Sequence, residues 1–433
     1  MYVGPVEGLP AGLRALLFDR EAVIRAAERA VVPIIEAVRR EGDLALLRLT
    51  KEFDGVELQA TDLALDPRGL ADPTPELPKM VLAATETAMT RVIAYHRRQW
   101  SVRQLEADGA TGRWTVPVDS VGHYVPGGRA AYPSSAIMTL APSLVAGVRE
   151  RHLCTPPTAS GRVHPLTLWV ARRMGVTSLH LVGGAQAIAA MALGTPSVAR
   201  VDRIVGPGNA YVVAAKRALR HEVESDSYSG PSELLVIADH SATPHAAAIA
   251  ADLIAQAEHD PAASVVLLTD SEAVLDSVTA QVREQLADLP QGKTASAAMA
   301  SGGALLLLPD LPSMVAWAER FAPEHLSLLV AAPEHVLPQL RHAGAIFVGP
   351  ESAVALGDYV AGPNHVLPTG GAAARHSGLS VDSVSRSFCV VRIDAATLSQ
   401  LGPVAVTLAR LEGLEGHARS LEVRLQSVPE PRR

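Results

Sequence analysis

Gln256 and His259 are spaced like two ligands of one metal ion near the end of a predicted helix. They lie in the run Gln-Ala-Glu-His-Asp at 256–260, which is followed by Pro261. Residues three apart on a helix share a face, so the amide oxygen and the imidazole can reach the same ion. A mixed nitrogen and oxygen pair of this kind is half of a plausible zinc sphere. A polar last turn before proline is usually a solvated helix end, so the pair alone is weak evidence for a metal site.

Glu324 and His325 are adjacent titratable residues between a predicted helix and a predicted strand. Because their reference pKa values differ, the pair suits proton transfers in two separate steps. Neighbouring side chains point in different directions on a regular element, so this interpretation requires a turn. The alternative is a helix C-terminus at which His325 meets the helix dipole.

Two further acid–histidine groups lie towards the C-terminus. Asp358 and His365 belong to a polar segment, residues 355–371, that shows no periodicity and is too long for a simple connection. Long irregular loops often carry function, so we expect Asp358 to be a carboxylate ligand and His365 to contact a substrate. Glu412 and His417 lie near the end of the chain, where the local pattern is typical of exposed polar residues.

The glycine-rich turns follow predicted strands. Strand–turn–helix units between about residues 151 and 220 predict a parallel sheet with right-handed crossovers. Their turns, Gly183-Gly184 and Gly206-Pro207-Gly208-Asn209, lie where such sheets bind ligands, and helix N-termini there suit phosphates. The Gly-x-Gly-x-x-Gly fingerprint is absent, so this pattern does not identify NAD. The turn at 126–128 also lets a ligand approach the backbone, although a simple connecting loop would look the same.

A second run of such units covers residues 234–348. It begins with a buried strand at 234–239 and continues with a helix that Ser241 or Thr243 can cap and that carries Gln256. Two adjacent α/β domains predict a cleft between them. Helices at about 21–40, 44–50 and 77–100 are predicted as packing scaffolds, and residues beyond about 380 as a small appended module. The predicted fold class is therefore α/β.

Composition excludes several classes of protein. With 433 residues the chain is expected to form two to four domains, and 48% hydrophobic with 19% charged residues is typical of folded proteins. The net charge of −7, the aromatic content of 4% and the lack of a long basic cluster argue against nucleic-acid and membrane partners. Two cysteines give no disulfide framework. No signal peptide or membrane-spanning run is evident, so we expect a soluble cytoplasmic protein.

Taken together, these motifs resemble those of the histidinol dehydrogenases. The resemblance rests on Gly-Pro-Ser-Glu at 230–233, Gln-Ala-Glu-His at 256–259, Pro-Glu-His at 323–325, Gly-Asp-Tyr and Gly-Pro-Asn-His-Val-Leu-Pro-Thr-Gly-Gly within 357–371, and Glu-Gly-Leu-Glu-Gly-His at 412–417. Further matches are Tyr-Val-Pro-Gly-Gly at 124–128, Tyr-Pro-Ser-Ser at 132–135 and Val-Gly-Pro-Gly-Asn-Ala-Tyr-Val at 205–212. The motifs are collinear from about residue 20 to residue 425.

The resemblance implies a zinc- and NAD-dependent enzyme that oxidises L-histidinol to L-histidine through the aldehyde, in two hydride transfers. His325 would be the base of the alcohol step, and Glu324 would activate the water that attacks the aldehyde. The implied zinc ligands are Gln256, His259, Asp358 and His417. The implied substrate contacts are these four residues with Ser232, His325, His365 and Glu412. The implied NAD contacts are Tyr124, Gln186 and Asn209.

The resemblance also implies an intertwined homodimer with two Rossmann-like parallel-sheet domains and small terminal extensions. The implied domains are 24–123 with 234–380, which carry the zinc and catalytic residues, and 124–233, which carries the NAD loops. Residues 1–23 with 381–403 would form a linking module, and 404–433 would reach the partner's active site. The chain departs from the family pattern at 225–229 and 370–376, so we expect any difference in affinity or substrate preference to arise there.

Two other functions compete with this one. A relative that oxidises another small diol or amino alcohol would keep zinc and NAD. Glu412 favours histidinol, because a carboxylate suits a cationic substrate. A zinc-stabilised binding protein is the other alternative, and it would have no need of the proton-transfer pair Glu324 and His325.

Overall fold

The computed structural model describes residues 1–20, 22–100, 103–105, 111–127, 132–226, 230–290 and 292–427. The strands are β1 Tyr2–Pro5, β2 Arg103–Leu105, β3 Thr111–Pro117, β4 Ser120–Tyr124, β5 Glu150–Cys154, β6 Ser178–His180, β7 Arg203–Val205, β8 Glu224–Ser225, β9 Glu233–Ala238, β10 Ser264–Thr269, β11 Gly303–Leu307, β12 His325–Leu329, β13 Ala345–Val348 and β14 Ser385–Val391. The helices are α1 Ala11–Phe18, α2 Ala22–Glu41, α3 Asp43–Asp54, α4 Lys79–Arg97, α5 Pro133–Ala146, α6 Pro165–Arg173, α7 Gly184–Leu193, α8 Ala210–Ala218, α9 Ala246–Ala257, α10 Glu272–Asp288, α11 Lys293–Gly302, α12 Leu311–Phe321, α13 Pro333–Val336, α14 Val354–Tyr359, α15 Ala395–Leu411 and α16 Glu415–Gln426.

The larger sheet is parallel and has the order β1-β11-β10-β9-β12-β13. Its central strand β9 is buried along its whole length. Leu234 and Val236 pack into one hydrophobic cluster, whereas Leu235 and Ile237 pack into another. Successive strand residues point to opposite faces, so a sheet covered on both sides requires the unbroken aliphatic run that the sequence shows.

The smaller sheet is also parallel and has the order β6-β5-β4-β7-β8. Helix α2 packs against α7 and α8, beside this sheet, and continues through Pro33 as one helix. The prediction of a mixed α/β fold with parallel sheets is therefore confirmed.

The chain divides into two compact units. Residues Met1–Trp100 and Pro117–Val384 form the first unit, which contains both parallel sheets. Residues Ser101–Val116 and Ser385–Arg433 form the second unit, in which the described part comprises β2, β3, β14 and the paired helices α15 and α16. The domain boundaries proposed from the sequence stay a prediction. None of the described helices is long and apolar enough to cross a membrane.

Three local predictions about site-bearing segments were wrong. Neither Ser241 nor Thr243 caps α9, because a 3-10 turn precedes it, and Asp239 caps that turn by accepting the Ser241 N–H at 2.9 Å. Helix α9 ends at Ala257, which places His259 in the turn beyond it. Asp358 lies on the short helix α14 and not in an irregular loop.

Helix α11 has no counterpart among the predicted elements, since its alanine- and serine-rich sequence shows little periodicity.

Three histidines are buried in the smaller sheet, and two of them, His123 on β4 and His180 on β6, have clearly shifted pKa values. Burial lowers the pKa of His123 to about 3 and that of His180 to about 4. The unfolded chain binds protons at these positions below a pH of about 6.5, whereas the folded chain does not. Each histidine therefore contributes stability that is complete above this pH and is lost, at about 1.4 kcal/mol per pH unit, as the pH falls towards the folded-state value.

We expect the urea midpoint of unfolding to be lower at about pH 5.5 than at about pH 7.5 because of this linkage. The His123→Leu variant should show a smaller difference between the two midpoints, since one buried titrating group is removed. His240 is exposed, so His240→Asn is the control and should keep the full difference. An undiminished pH dependence in His123→Leu would contradict this account.

Candidate active site

A cavity of about 350 Å³ in the first unit joins loops of the two parallel sheets. We call it the cleft. The loops that follow β4 and β7 contribute Tyr124 and Asn209, as expected for the carboxyl ends of parallel strands. The segments that precede β9, β10 and β12 contribute Ser232, His259 and Glu324. The larger sheet thus presents the amino ends of its strands to the cleft, an arrangement that the sequence did not predict.

Glu324 and His325 lie side by side where β12 begins. Both are buried, and His325 Nδ1 is 3.6 Å from Glu324 Oε2. The Glu324 carboxylate accepts the backbone N–H of Glu233 at 2.9 Å, and His325 Nδ1 donates to the Glu233 carbonyl oxygen at 3.1 Å. Because Nδ1 carries the proton of the neutral imidazole in this arrangement, Nε2 keeps a free lone pair and can act as a base.

Burial shifts the pKa values of these two groups in opposite directions. It raises the pKa of Glu324 well above the usual range, and the nearby carboxylates of Glu233 and Asp358 raise it further. It lowers the pKa of His325 to about 4, an effect that the charge of Asp358 partly offsets. A neutral imidazole and a carboxyl group of increased basicity therefore lie together, which suits two different proton transfers.

His259, Asp358 and His365 are electrostatic neighbours of this pair. His365 Nδ1 donates to the Asp358 carbonyl oxygen at 2.9 Å and is 3.9 Å from its carboxylate Oδ1. Burial lowers the pKa of His365, and the charges of Asp358 and His259 act on it as well. The structure thus brings together residues from α14, from the turn after α9 and from the start of β12.

The residues predicted as zinc ligands in the first unit fit that role chemically. His259 Nδ1 is 3.3 Å from the Gln256 carbonyl oxygen, a contact that favours the tautomer with a free lone pair on Nε2. Together with the side-chain oxygens of Gln256 and Asp358, this imidazole supplies the mixed donor set that zinc accepts. Over the described ranges, no group of three or more His, Cys, Asp and Glu side chains is close enough to hold a metal ion.

The remaining predicted site residues, Glu412 and His417, belong to the second unit. Glu412 is the C-terminal cap of α15, and His417 lies in the first turn of α16. Both are exposed in the single chain. The departures from the family pattern at 227–229 lie outside the described residues.

Another cavity, of about 500 Å³, adjoins the cleft and is lined by Tyr124, Gln186 and Asn209. The Tyr124 hydroxyl accepts the backbone N–H of Gly184 at the start of α7, and Asn209 caps α8 by accepting the N–H of Tyr211 at 3.1 Å. Burial raises the pKa of Tyr124 to about 12, so its hydroxyl stays protonated and can donate to a ligand. Two helix N-termini and a hydroxyl donor suit an anionic ligand such as a dinucleotide.

Residues of α2 and α3 also line this cavity, although the sequence predicted these helices only as scaffolds. Ile34 comes from α2, whereas Phe53 and Asp54 come from the end of α3. Phe53 is 54% exposed, and burial raises the pKa of Asp54. No local sequence signal distinguishes Phe53-Asp54-Gly55 from an ordinary helix end, so only the fold reveals its position.

A buried ion pair that the sequence did not single out fixes the loop after β7. Lys216 Nζ is 2.5 Å from Asp226 Oδ1, and both side chains are almost fully buried. Lys216 also donates to the Gly206 carbonyl oxygen, and Asp226 accepts the Gly206 N–H, each at 2.6 Å. The φ of Gly206 is +126°, and a Cβ there would lie 2.1 Å from the Tyr124 carbonyl oxygen. Glycine is therefore required where the loop passes under Tyr124.

Comparison with known proteins gives a consistent result. A family model described as histidinol dehydrogenase matches residues 19–425. A histidinol dehydrogenase of Rhizobium meliloti (strain 1021) is 45% identical over 94% of this chain and 92% of its own length. One of Halalkalibacterium halodurans is 44% identical over 92% of this chain and 94% of its own length.

Two solved structures can be compared with the fold. The structure of a histidinol dehydrogenase from Elizabethkingia anophelis matches with a TM-score of 0.86 and 34% identity over 92% of each chain. An acetylating aldehyde dehydrogenase from Geobacillus thermoglucosidasius matches with a TM-score of 0.53 and 14% identity, covering 88% of this chain and 96% of its own. The second likeness concerns the fold alone.

Proposed function

The chain belongs to the histidinol dehydrogenase family, and we propose that its cleft oxidises L-histidinol to L-histidine through L-histidinaldehyde by two hydride transfers to NAD. As a member of this family it is an NAD- and zinc-dependent oxidoreductase of histidine biosynthesis. The observation that carries the assignment of roles is the buried pair of Glu324 and His325, whose pKa values are shifted in opposite directions.

His325 is the base of the alcohol step. Its Nδ1–H is held by the Glu233 carbonyl oxygen, which leaves Nε2 to accept the hydroxyl proton as the hydride leaves the carbinol carbon for NAD. The products of this step are the aldehyde, NADH and a proton. Burial disfavours the protonated imidazole, so His325 enters this step neutral and able to accept a proton.

Glu324 is the base of the aldehyde step. A carboxylate of raised pKa removes a proton from water more readily than an exposed one, and this water adds to the aldehyde carbon. The resulting hydrate anion then gives up the second hydride to NAD and a proton to solvent, and leaves as the carboxylate of histidine. The Glu233 N–H fixes the Glu324 carboxylate at the cleft wall during this step.

Gln256, His259, Asp358 and His417 would hold the zinc ion, which would orient the substrate in the cleft. Ser232, His365 and Glu412 complete the substrate pocket, in which the carboxylate of Glu412 can accept a hydrogen bond from the substrate. Ser232 and His365 line the cleft, which supports this assignment.

The protein acts as a homodimer in which the C-terminal unit supplies Glu412 and His417 to the partner's cleft. The surface of α15 supports this proposal, because Leu401, Val404, Leu408 and Leu411 are all more than half exposed. Their spacing of three and four places them along one side of the helix, a pattern typical of a helix face that is buried against another surface.

Tyr124, Gln186 and Asn209 contact NAD in the cavity beside the cleft. We expect Gly206→Ala to raise the KM for NAD by about tenfold or more, because the added Cβ displaces the loop that carries Asn209. The KM for histidinol should change much less. Gly12→Ala is the matched control, since nothing lies near its Cβ and steady-state kinetics should be unaltered. An unchanged KM for NAD in Gly206→Ala would contradict this placement of the cofactor.

Product analysis tests the substrate. The protein is incubated with NAD and either L-histidinol or another small diol or amino alcohol, and the products are identified by mass spectrometry. We expect L-histidine from L-histidinol. Turnover of another alcohol alone would show that substrate preference has changed within the family.

A further inference from the structure

Glu233 contacts both members of the proton-transfer pair through its own backbone. Its N–H donates to Glu324 Oε2 at 2.9 Å, and its carbonyl oxygen accepts from His325 Nδ1 at 3.1 Å. Glu233 is the first residue of β9, and the parallel pairing of β9 with β12 places it opposite the start of β12. One residue therefore fixes the direction of both side chains of the pair.

The side chain of Glu233 also contacts Glu324. Its Oε2 accepts the backbone N–H of Glu324 at 3.2 Å, so the two glutamates are joined by a reciprocal pair of hydrogen bonds. Its Oε1 accepts the N–H of Gly370 at 2.6 Å, which ties the segment after His365 to the same carboxylate. The Glu233 side chain is 2% exposed, so the carboxylate has little water to solvate it.

Arg20 makes this arrangement stable. Its Nη1 is 2.8 Å from Glu233 Oε2, and its side chain is 7% exposed. Its Nη2 donates to the Phe321 carbonyl oxygen at 2.5 Å, and the guanidinium lies 3.8 Å from the centre of the Phe321 ring. Two adjacent buried carboxyl groups repel each other when both are ionised, and the charge of Arg20 compensates for the first of them.

Resting on the function proposed above, we infer that Glu233, held by Arg20, is a positioning residue that orients the Glu324 carboxylate for the aldehyde step. Replacing the Glu233 side chain leaves its backbone contact with His325 in place but removes the side-chain acceptor for the Glu324 N–H. The aldehyde step therefore depends on this side chain more than the alcohol step does. Neither Arg20 nor the Glu233 side chain needs to touch the substrate for this effect.

Glu233→Gln tests this role most directly. A glutamine can accept only one of the two N–H groups with its oxygen, and its NH₂ group faces the other donor. We expect kcat for L-histidinaldehyde to fall by about tenfold or more, while kcat for the first oxidation of L-histidinol changes by less than about threefold. KM values and zinc content should stay near those of the unmodified enzyme, which distinguishes a positioning role from general disruption.

Arg20 provides a graded test of the same inference. Arg20→Met should reproduce the selective loss, because Glu233 then becomes an unpaired buried carboxylate. Arg20→Lys keeps the charge but can satisfy only part of the contacts to Glu233 and Phe321, so its aldehyde rate should lie between those of Arg20→Met and the unmodified enzyme. This ranking of the Arg20 variants tests the inference even if Glu233→Gln does not fold.

Glu319→Gln is the matched control. Glu319 also accepts two backbone N–H groups, from Arg341 and His342, but it does so through one oxygen, Oε1, and it lies outside the cleft lining. The amide oxygen of this variant can accept both N–H groups, but the carboxylate charge that faces Arg341 and His342 is lost. Stability should therefore fall slightly, and the ratio of the two rates should stay unchanged. If Glu319→Gln shifts the ratio as Glu233→Gln does, the ratio reports lost stability and the inference is overturned.

Glu324→Gln separates this inference from the proposed function. If that variant does not slow the aldehyde step selectively, the role of Glu324 is wrong and the positioning role falls with it. A different outcome overturns the positioning inference alone. In that outcome Glu324→Gln slows the aldehyde step selectively, whereas Glu233→Gln and Arg20→Met either slow both steps equally or slow neither step.

Discussion

His325→Ala is expected to lower the rate of histidinol oxidation by about three orders of magnitude, within the range of roughly 10²–10⁴ that general bases contribute. Among the described residues, His325 is the imidazole whose Nδ1 donates to the Glu233 carbonyl oxygen, and no neighbouring base shares this geometry. His325 is not among the proposed zinc residues, and the variant should bind zinc normally. Stopped-flow measurement of the first NADH formed, with metal analysis of the same sample, gives both quantities.

His342→Ala is the control for this variant. His342 Nδ1 donates to the Glu319 carbonyl oxygen at 3.1 Å, a contact of the same kind outside the cleft. Removing it should leave turnover near its original value. The His325→Ala enzyme should also retain much of its activity when L-histidinaldehyde is supplied directly, because the aldehyde step uses Glu324. Histidinol turnover at the unmodified rate would remove His325 from the mechanism.

Glu324→Gln is expected to slow oxidation of the aldehyde by about 10²–10³-fold and oxidation of the alcohol by only a few-fold. The amide is nearly isosteric and can still accept the Glu233 N–H through its oxygen, but it cannot remove a proton from water. Histidinol should therefore yield close to one NADH in the first minutes, and the aldehyde can be trapped with a carbonyl reagent. Equal losses in both steps would contradict the role given to Glu324.

The pH dependence of the aldehyde step provides an independent check. Burial raises the pKa of Glu324, so the carboxyl group stays protonated, and inactive as a base, to a higher pH than an exposed glutamate would. The rate with L-histidinaldehyde should therefore increase as the pH rises through this pKa. The residual rate of Glu324→Gln should lack this increase.

Parallel sheets and the existence of a cleft could be predicted from the sequence because their signals are local. The aliphatic run at 234–238 is long enough to identify a buried strand, and strand–turn–helix alternation then requires parallel pairing. The adjacent residues Glu324 and His325 were predicted to act only on a turn, and the structure places them at a strand start that follows a turn. The sequence did not predict the short helix α14, because the glycine and aspartate within it are poor helix formers.

Contacts between distant parts of the chain could not be predicted in the same way. Arg20 and Glu233 meet only in the folded chain, and Arg20 shows no pattern that marks it as buried. The ion pair between Lys216 and Asp226, which fixes Gly206, could not be predicted from the sequence either. The local pattern around Lys216 is typical of an exposed charged residue near the end of a helix. For Glu412 and His417 the local sequence predicts exposed polar residues, and only the family resemblance marks them as site residues.

The count of NADH formed per L-histidinol, with and without a chelator, tests the central claim most directly. We predict two NADH per histidinol consumed, loss of this activity when zinc is removed, and its return when zinc is added back. Absence of NADH from a folded, zinc-loaded protein supplied with histidinol and NAD would contradict the proposed function.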